Sequence, residues 1–274
     1  MRIIVLISTI DDRIKAVPKV LLPEEEGVSY VVVWQKNKVD SLELRVDSIK
    51  RGDVRVIEME GKGLSKSRNC AVDAALESLG DTLEDAVLVI ADDDEWFMPG
   101  AFQRIRAAYE RHPKLDGALF RLRSSKDGRY FKDYPKKEVL LGKHPRTYYP
   151  CSLEMTVRSR VFVSGLRFDE RFGLGSEQLG AGEEDVLLTD MQCKGMKVMI
   201  VPEDIATTEP YTTGSRQIDP LVLRSKGALY GYRMALVPAI VRGAKEALSL
   251  AVRHRKRVWP LWKEIWFGIN YIRS

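Results

Sequence analysis

The sequence predicts an α/β fold, in which a mostly parallel, Rossmann-like sheet is flanked by helices and followed by a helical C-terminal extension. Two observations support this prediction. Short apolar runs rich in β-branched residues recur along the first part of the chain, and helix-like segments separate the early ones, which is typical of parallel sheets. After Pro220 the strand signals disappear and the sequence becomes helical and basic.

Each element follows from a local pattern. The runs predicted as strands are residues 3–8, 29–34, 54–57, 87–90 and 198–201. Residues 64–79 predict a helix, because small apolar residues recur near one face and Gly80 follows as a stop. A second helix is expected over residues 101–109, directly after Pro99. Residues 124–150, rich in Lys, Pro, Gly and Tyr, predict an irregular excursion of the chain.

Composition indicates a globular protein with a sizeable core. The chain has 274 residues, of which 45% are hydrophobic and 30% charged. Its three cysteines, Cys70, Cys151 and Cys193, show neither a disulfide framework nor metal-ligand spacing, so we expect a reducing, cytoplasmic compartment. The first residues lack the pattern of a secretory signal, and no stretch has the uncharged length of a spanning helix.

The charge is distributed unevenly along the chain. The net charge is +5, but residues 216–274 contain 12 Lys and Arg against 3 Asp and Glu, so this segment carries +9 and the rest carries −4. Such asymmetry indicates that the two parts meet different partners. We therefore predict a first domain over residues 1–215 and a basic, amphipathic helical extension over residues 216–274.

A group of four acids, Asp92, Asp93, Asp94 and Glu95, follows the strand predicted at 87–90. Four apolar residues in a row predict a strand buried on both faces, and ligands bind at the carboxyl ends of such strands. Because side chains alternate in extended chain, Asp92 and Asp94 are expected on one side and Asp93 on the other. Two such carboxylates can share Mg²⁺ or Mn²⁺ with a nucleotide diphosphate. The alternative interpretation is that one of the acids caps the helix that begins near Pro99 and that the others are only solvated.

A second group of acids follows a glycine-rich loop. The loop contains Gly173, Gly175, Gly180 and Gly182, which permit positive φ and a close backbone approach to a ligand. Glu183, Glu184 and Asp185 then open a predicted helix that ends near Gly195. Acids in a first turn complement the helix dipole, so this passage alone predicts an ordinary helix start as readily as a catalytic base.

Three segments together resemble the family 2 glycosyltransferases, inverting enzymes of the GT-A fold that use nucleotide-diphosphate sugars. They are KGLSKSRNCAVDAA, ADDDEWFMPG and GEEDVLLTDMQCKGMKVMIVP. The first looks like the family's Arg-Asn helix start, the second like its DxD metal site and the third like its acidic catalytic helix. The resemblance covers about residues 1–215 and implies that they form a GT-A nucleotide-sugar-binding and catalytic domain.

The resemblance also implies a role for each candidate residue. The residues implied to bind the nucleotide sugar are Arg68, Asn69, Asp92, Asp93 and Gln35. Those implied to bind the metal are Asp92, Asp94 and Glu209, and the implied general base is Glu184 or Asp185. The implied cofactor is Mn²⁺ or Mg²⁺. Two positions depart from the family pattern. Gln35 and Asn37 stand where many members carry acids, and Thr208 and Glu209 stand near a frequent metal-binding histidine, so metal binding relies on Glu209 or is weak.

The implied reaction is a single displacement that moves a sugar, with inversion, from a nucleotide-diphosphate sugar to a glycan or lipid-linked acceptor in cell-surface polysaccharide biosynthesis. One alternative is a catalytically silent, membrane-associated nucleotide-binding scaffold. The other is a sugar nucleotidyltransferase, which would normally carry a glycine-rich, basic phosphate loop after the first strand, where this chain reads STIDDRIKAV.

The C-terminal residues predict a membrane-associated helix. The basic run RHRKR at 253–257 precedes apolar residues at helical spacing, namely Val258, Trp262, Ile265, Trp266, Ile269 and Ile272. Trp and Phe beside clustered basic residues are typical of a helix at an anionic membrane surface, so residues 253–272 predict a peripheral protein on the inner face of the membrane. The alternative is a helix docked on the catalytic domain. No nucleic-acid-binding motif accompanies the basic run, and no nucleic acid partner is expected.

Overall fold

A computed structural model describes residues 1–37, 49–80, 86–145, 147–209 and 216–274. The strands are β1 (Arg2–Ile10), β2 (Val28–Lys36), β3 (Val54–Glu60), β4 (Ala86–Asp92), β5 (Glu95–Phe97), β6 (Gly117–Ser124), β7 (Val139–Leu140), β8 (Met155–Arg158) and β9 (Val198–Thr208). The helices are α1 (Leu64–Leu79), α2 (Ala101–Arg111), α3 (Ser159–Val163), α4 (Glu183–Cys193), α5 (Pro220–Arg233), α6 (Leu236–His254) and α7 (Val258–Tyr271). All five strand predictions and the predicted helices are confirmed.

Within the described residues the strands form one nine-stranded sheet in the order β3-β2-β1-β4-β8-β6-β9-β5, with β7 paired to β9. Strands β3, β2, β1 and β4 are parallel to one another, and β6 is parallel to β9. Strands β8, β5 and β7 pair antiparallel with their neighbours. The predicted α/β class is confirmed, whereas β6 and the antiparallel strands β5, β7 and β8 were not predicted.

The central strands are apolar because both faces of the sheet are covered. Every residue from Ile3 to Ile7 and from Val87 to Ile90 is buried. Helix α2 presents its apolar side, including Phe102 and Ile105, to the same core. Burial on both faces removes the polar alternation of a half-exposed strand. Because β1, β2 and β4 are parallel neighbours, their carboxyl ends fall at one edge of the sheet.

The chain divides into two compact units. The first contains residues 1–62, 66–167 and 190–209 of the described chain, and the second contains residues 63–65, 168–189 and 216–274. The sheet belongs to the first unit, and α5, α6 and α7 belong to the second. The domain boundary predicted between residues 215 and 216 falls at the end of residues 210–215, which lie outside the described residues, and it stays a prediction.

Helix α7 packs one face against α5 and α6 within the second unit. Ile265 and Ile269, two of the apolar residues predicted at helical spacing, are fully buried there. Trp259, Trp266 and Phe267 lie on the exposed side. One face of this helix is therefore docked on its neighbours while an aromatic face stays open. None of the helices in the described parts of the chain is both long and apolar enough to cross a membrane.

Candidate functional site

Polar side chains gather where β1, β2 and β4 end. Ser8 on β1 is in register with Asp92 on β4, and Ile10 on β1 is in register with Gln35 on β2. Gln35 is buried, and its Nε2 donates to the backbone oxygen of Thr9 at 3.4 Å. Strand ends at one edge of a parallel sheet are the usual ligand-binding position in this class of fold. The predicted site residues on β2 and β4 are thus brought to a common edge.

Arg68 on α1 reaches the end of β4. Its guanidinium is fully buried, and Nη2 lies 3.2 Å from Oδ1 of Asp92 and 2.9 Å from Oγ of Ser152. A buried cation is stable only when charge and hydrogen bonds compensate it. Asn69, the next residue, is also buried. The structure therefore joins two predicted site residues, Arg68 and Asp92, and adds Ser152, which the sequence pattern did not suggest.

Asp93 and Asp94 share one partner, Arg13. Asp93 is buried, accepts a hydrogen bond from Oγ1 of Thr9 at 2.6 Å and pairs with Arg13, whose Nη2 also lies 2.9 Å from Oδ2 of Asp94. The expected alternation stops at Asp92, because residues 93 and 94 form a turn before β5 begins. Burial raises the pKa of Asp93 to about 6, although the bonds from Thr9 and Arg13 oppose this shift.

Glu95 begins β5 and is fully buried. Its burial, with Asp92 and Asp94 nearby, raises the pKa of its carboxyl group well above the usual range. A carboxyl group in such surroundings is kept neutral rather than charged. Glu95 and Asp93 are thus both buried, but only Asp93 pairs with Arg13. Asp94, the other partner of Arg13, has a much more exposed side chain than Asp93.

The turn after β1 contributes residues that the sequence interpretation passed over. Asp11 has a left-handed backbone with φ of 50°, and its Oδ1 accepts a hydrogen bond from the backbone N–H of Asn37 at 2.9 Å. Its backbone oxygen accepts from Nε1 of Trp34 at 2.8 Å. This turn, STIDDR, follows a predicted strand, so the strand-end rule that identified Asp92 also applies to Thr9, Asp11 and Arg13.

The carboxylate oxygens of Asp92 and Asp94 are the ligand type that Mg²⁺ and Mn²⁺ prefer, and both side chains are partly exposed. Among the residues that the structure describes, no three His, Cys, Asp or Glu side chains come together as a metal-binding group. Such a site would take its remaining ligands from substrate phosphates and water. The set Asp92, Asp94 and Glu209 stays a prediction.

The glycine loop lies in the second unit. Positive φ is confirmed at Gly173, Gly175 and Gly182, whereas Gly180 is not in the left-handed region. At Gly173 a Cβ atom would lie 2.9 Å from Oγ of Ser65 and 3.2 Å from Oε2 of Glu183. Glycine is therefore required at residue 173 by both its backbone conformation and the lack of space. The absence of a side chain there lets the buried Glu183 carboxylate pack against the loop.

The next two acids of α4 differ in their surroundings. Glu184 is half-buried. Asp185 forms an ion pair with Arg233 on α5, in which Nη2 lies 2.5 Å from Oδ1, and the same nitrogen donates to the backbone oxygen of Asp185 at 2.9 Å. Nε of Arg233 donates to Oγ1 of Thr189 at 2.9 Å. Asp185 is therefore bound to α5 through the guanidinium of Arg233.

The excursion over residues 124–150 is anchored by a buried carboxylate. Glu154 lies 2.7 Å from Nζ of Lys132 and accepts hydrogen bonds of 2.6 Å from the hydroxyl groups of Tyr134 and Tyr148. Both members of the ion pair are almost entirely buried. Glu154 belongs to the 3₁₀ segment Ser152–Glu154, so this anchor also fixes the position of the serine that contacts Arg68.

The sequence matches a known protein family. Residues 31–170, slightly more than half of the chain, match the family model described as Glycosyl transferase family 2. The matched region includes β2, α1 and the acids at the end of β4. None of the curated proteins is significantly similar to the chain in sequence.

Solved structures with a similar fold are available at low sequence identity. S. aureus TarS 1-349 in complex with UDP-GlcNAc has a TM-score of 0.59 and 14% identity, over 97% of this chain and 79% of that one. S. aureus TarS 1-349 alone has a TM-score of 0.57 and 16% identity, over 92% and 72%. Glucosyl-3-phosphoglycerate synthase from Mycobacterium tuberculosis, in complex with phosphoglyceric acid, has a TM-score of 0.52 and 13% identity, over 84% and 79%. At these identities the likeness concerns the fold.

Proposed function

The chain belongs to glycosyl transferase family 2, and from that premise we propose that it is an inverting glycosyltransferase that moves a sugar from a nucleotide-diphosphate sugar to a hydroxyl group of a glycan or lipid-linked acceptor. The observation that supports this most directly is the end of β4, where Asp92 meets the buried guanidinium of Arg68. A carboxylate and a cation at a strand end suit a donor that carries both a ribose and a diphosphate.

Donor binding is assigned to the polar residues at the edge of the sheet. Arg68 is held by Asp92 and Ser152, and because its guanidinium is fully buried, its proposed role in donor binding is to fix the partly exposed carboxylate of Asp92. Asn69 and the buried Gln35 complete the proposed nucleotide-binding set. The structurally similar TarS was solved in complex with UDP-GlcNAc, which makes UDP-sugars the first donors to test.

A divalent cation, Mn²⁺ or Mg²⁺, would be held by Asp92 and Asp94, with Glu209 as a third candidate, and would neutralise charge on the departing diphosphate. Arg13 forms an ion pair with Asp94, so its guanidinium lies beside the proposed cation site. Asp93 is buried between Thr9 and Arg13, and its proposed role is to hold the turn that carries Asp94.

Glu184 is the proposed general base. It would accept the proton of the acceptor hydroxyl while that oxygen attacks the anomeric carbon, and the sugar would change its anomeric configuration in one displacement. Glu184 is preferred because of its position in the helix counted back from Gly195, and Asp185, whose Oδ1 accepts a hydrogen bond from Arg233, is the rival candidate.

The acceptor class is proposed from the surface of the second unit. Of the 16 large apolar side chains exposed in the described residues, 11 lie between Tyr232 and Phe267. The same region carries most of the +9 charge of residues 216–274. Exposed aromatic groups beside basic residues suit an anionic membrane surface, so we assign residues 253–272 to peripheral docking on the inner face of the membrane. A lipid-linked acceptor in cell-surface polysaccharide synthesis fits that location.

The first experiment is calorimetric titration with sugars of UDP, GDP, CDP and dTDP, with and without Mn²⁺. We expect one nucleotide class to bind in a metal-dependent manner, and Asp94→Ala to abolish that dependence. Glu110→Gln removes an exposed carboxylate of α2 and is the matched control, with binding unchanged. No binding to any nucleotide would overturn the proposal.

A second experiment separates an enzyme from a silent scaffold. Glu184→Gln should bind the donor as the parent protein does, and it should lose the release of nucleoside diphosphate from the nucleotide sugar by a factor of about 100 or more. Donor binding by the parent protein with no turnover, even with membrane extracts as the acceptor source, would favour the scaffold. A sugar nucleotidyltransferase would instead release pyrophosphate from a nucleoside triphosphate and a sugar phosphate.

A further inference from the structure

One ridge of α5 runs beside the segment that leads into α4. The ridge consists of Leu221, Ser225, Leu229 and Arg233, which recur every four residues and therefore share one side of the helix. In that order, these residues contact Gly180, Ala181, Gly182 and Asp185. All of them lie in the second compact unit.

The contacts begin with the backbone. The N–H of Gly180 donates to the backbone oxygen of Leu221 at 3.4 Å, and a Cβ atom at Gly180 would lie 3.0 Å from Cβ of Leu221. The N–H of Ala181 donates to Oγ of Ser225 at 3.1 Å, and that hydroxyl donates to the oxygen of Leu221 at 2.7 Å. The entry into α4 is thus hydrogen-bonded to the side of α5.

The next contact is steric. Gly182 has a φ of +94°, and a Cβ atom there would lie 3.0 Å from Cδ1 of Leu229. Its backbone oxygen accepts the N–H of Val186 and so starts α4. A side chain at this position would strain the backbone and press on Leu229, which favours glycine at residue 182 without assuming a bound ligand.

The last contact fixes the rotation of α4 about its axis. One guanidinium, that of Arg233, donates to Oδ1 and the backbone oxygen of Asp185 and to Oγ1 of Thr189. Asp185 and Thr189 are four residues apart and lie on one side of α4. Glu184, about 100° away around a helix of 3.6 residues per turn, therefore lies on a different side of α4 from Asp185 and Thr189.

We propose that Arg233 is a positioning residue, which binds Asp185 and Thr189 and thereby presents Glu184 as the general base. The inference rests on the proposed function and extends it, because it assigns part of the C-terminal segment to catalysis as well as to membrane docking. A planar guanidinium suits this task, since its donors are fixed relative to one another and can hold three acceptors at once.

The kinetic test compares Arg233→Met, Arg233→Lys, Asp185→Asn and the double variant Arg233→Met/Asp185→Asn, with UDP-GlcNAc as donor and UDP release as the readout. Arg233→Met should lower kcat about 10- to 100-fold while the donor Kd changes less than about 2-fold. Arg233→Lys should recover part of the rate. Asp185→Asn keeps an Oδ1 acceptor for the guanidinium, so it should lower kcat less than Arg233→Met does. The double variant should be no slower than Arg233→Met, because the two residues share one interaction.

Three results would overturn the proposal. They are an unchanged kcat in Arg233→Met, a parallel loss of donor affinity that indicates general damage to the fold, and an Asp185→Asn variant as slow as Glu184→Gln, which would make Asp185 the base. Arg242→Met, on α6, is the matched control and should leave kcat unchanged.

Hydrogen exchange tests the same inference without turnover. Arg233→Met should increase exchange in the peptide that contains residues 183–189, and Arg242→Met should not. If the parent protein neither binds nor turns over a nucleotide sugar, the transferase proposal fails, while the exchange experiment still reports on the α5 ridge. Unchanged exchange in Arg233→Met would refute the positioning role by itself.

Discussion

Large side chains fill the interior of the sheet-containing unit, whereas the closest contacts within the helical unit are made at glycines. Ile3, Val5 and Ile7 of β1 are fully buried in the sheet core. Between α5 and α7, in contrast, a Cβ atom at Gly227 would lie 1.9 Å from the backbone oxygen of Ile265. The sheet depends on the volume of its side chains, and the helices depend on the absence of side chains at their crossing.

The two units also differ in which charged and apolar residues they bury or expose. The sheet-containing unit buries the ion pair of Lys132 and Glu154. In α5, α6 and α7 as the structure describes them, Ser225 is the only polar residue that is buried, while Trp259 and other large apolar residues are exposed. A helical unit that exposes this many large apolar residues is suited to a surface that covers them. The following predictions test this contrast, from the largest expected effect to the smallest.

The largest effect is expected from Lys132→Met. The substitution leaves the fully buried Glu154 without its cation, and loss of one partner of a buried ion pair costs about 3–5 kcal/mol in the free energy of unfolding. Denaturant unfolding followed by circular dichroism measures this change. The double variant Lys132→Met/Glu154→Gln removes the charge as well and should recover part of the loss. Equal stability of the single and double variants would refute an uncompensated charge as the cause.

The next effect is expected from Gly268→Ala. The added Cβ would lie 1.9 Å from the backbone oxygen of Arg224 and 2.8 Å from the backbone nitrogen of Ala228, so α5 and α7 must separate. We expect a loss of about 3 kcal/mol in the free energy of unfolding, at the upper end of overpacking effects. Gly52→Ala, where nothing lies within 4 Å of the new atom, is the control and should change stability by less than about 0.5 kcal/mol. Similar losses in both variants would contradict the crossing as the cause.

A smaller loss is expected from Ile7→Val in the sheet core. Removing one buried methyl group costs about 1 kcal/mol when the surrounding side chains cannot close the gap. The residue is fully buried between neighbouring strands of the sheet. Thermal unfolding should show a lower Tm with unchanged cooperativity. A stability equal to that of the parent protein would mean that this core relaxes freely, which would weaken the contrast with the helical unit.

The sequence predicted the parts of the fold that depend on local pattern. Helix α1 has the bounds expected from its apolar spacing and Gly80, and α5 begins at the predicted Pro220. Strands β5 and β8 were missed because they contain three and four residues, too few to show a period, and because their partners lie far along the chain. The face of α7 was only partly predicted, since Ile265 and Ile269 are buried whereas Val258 and Trp266 of the same predicted set are exposed.

The candidate site was likewise predictable from the sequence only where it depends on local pattern. The acids at the end of β4 follow from a rule about strand ends, which needs only the order of elements. The pair of Arg13 and Asp93 joins residues 80 positions apart, and that of Arg233 and Asp185 joins residues 48 positions apart. A single sequence contains many arginines and carboxylates and no local signal for which of them meet. Tertiary packing determined these partners.

The smallest effect on stability is expected from Trp259→Ala, which tests the exposed aromatic face of α7. The Trp259 side chain is 71% exposed, so its removal should change the free energy of unfolding by less than about 0.5 kcal/mol. Partition into anionic phosphatidylglycerol vesicles should nevertheless weaken roughly 5-fold, because an exposed indole enters the membrane interface. Leu174→Ala, which truncates another exposed apolar residue of this unit, should partition as the parent protein does. Equal binding to neutral and anionic vesicles would remove the basic run at 253–257 from the mechanism, and no binding to either would leave the exposed aromatic face without a membrane role.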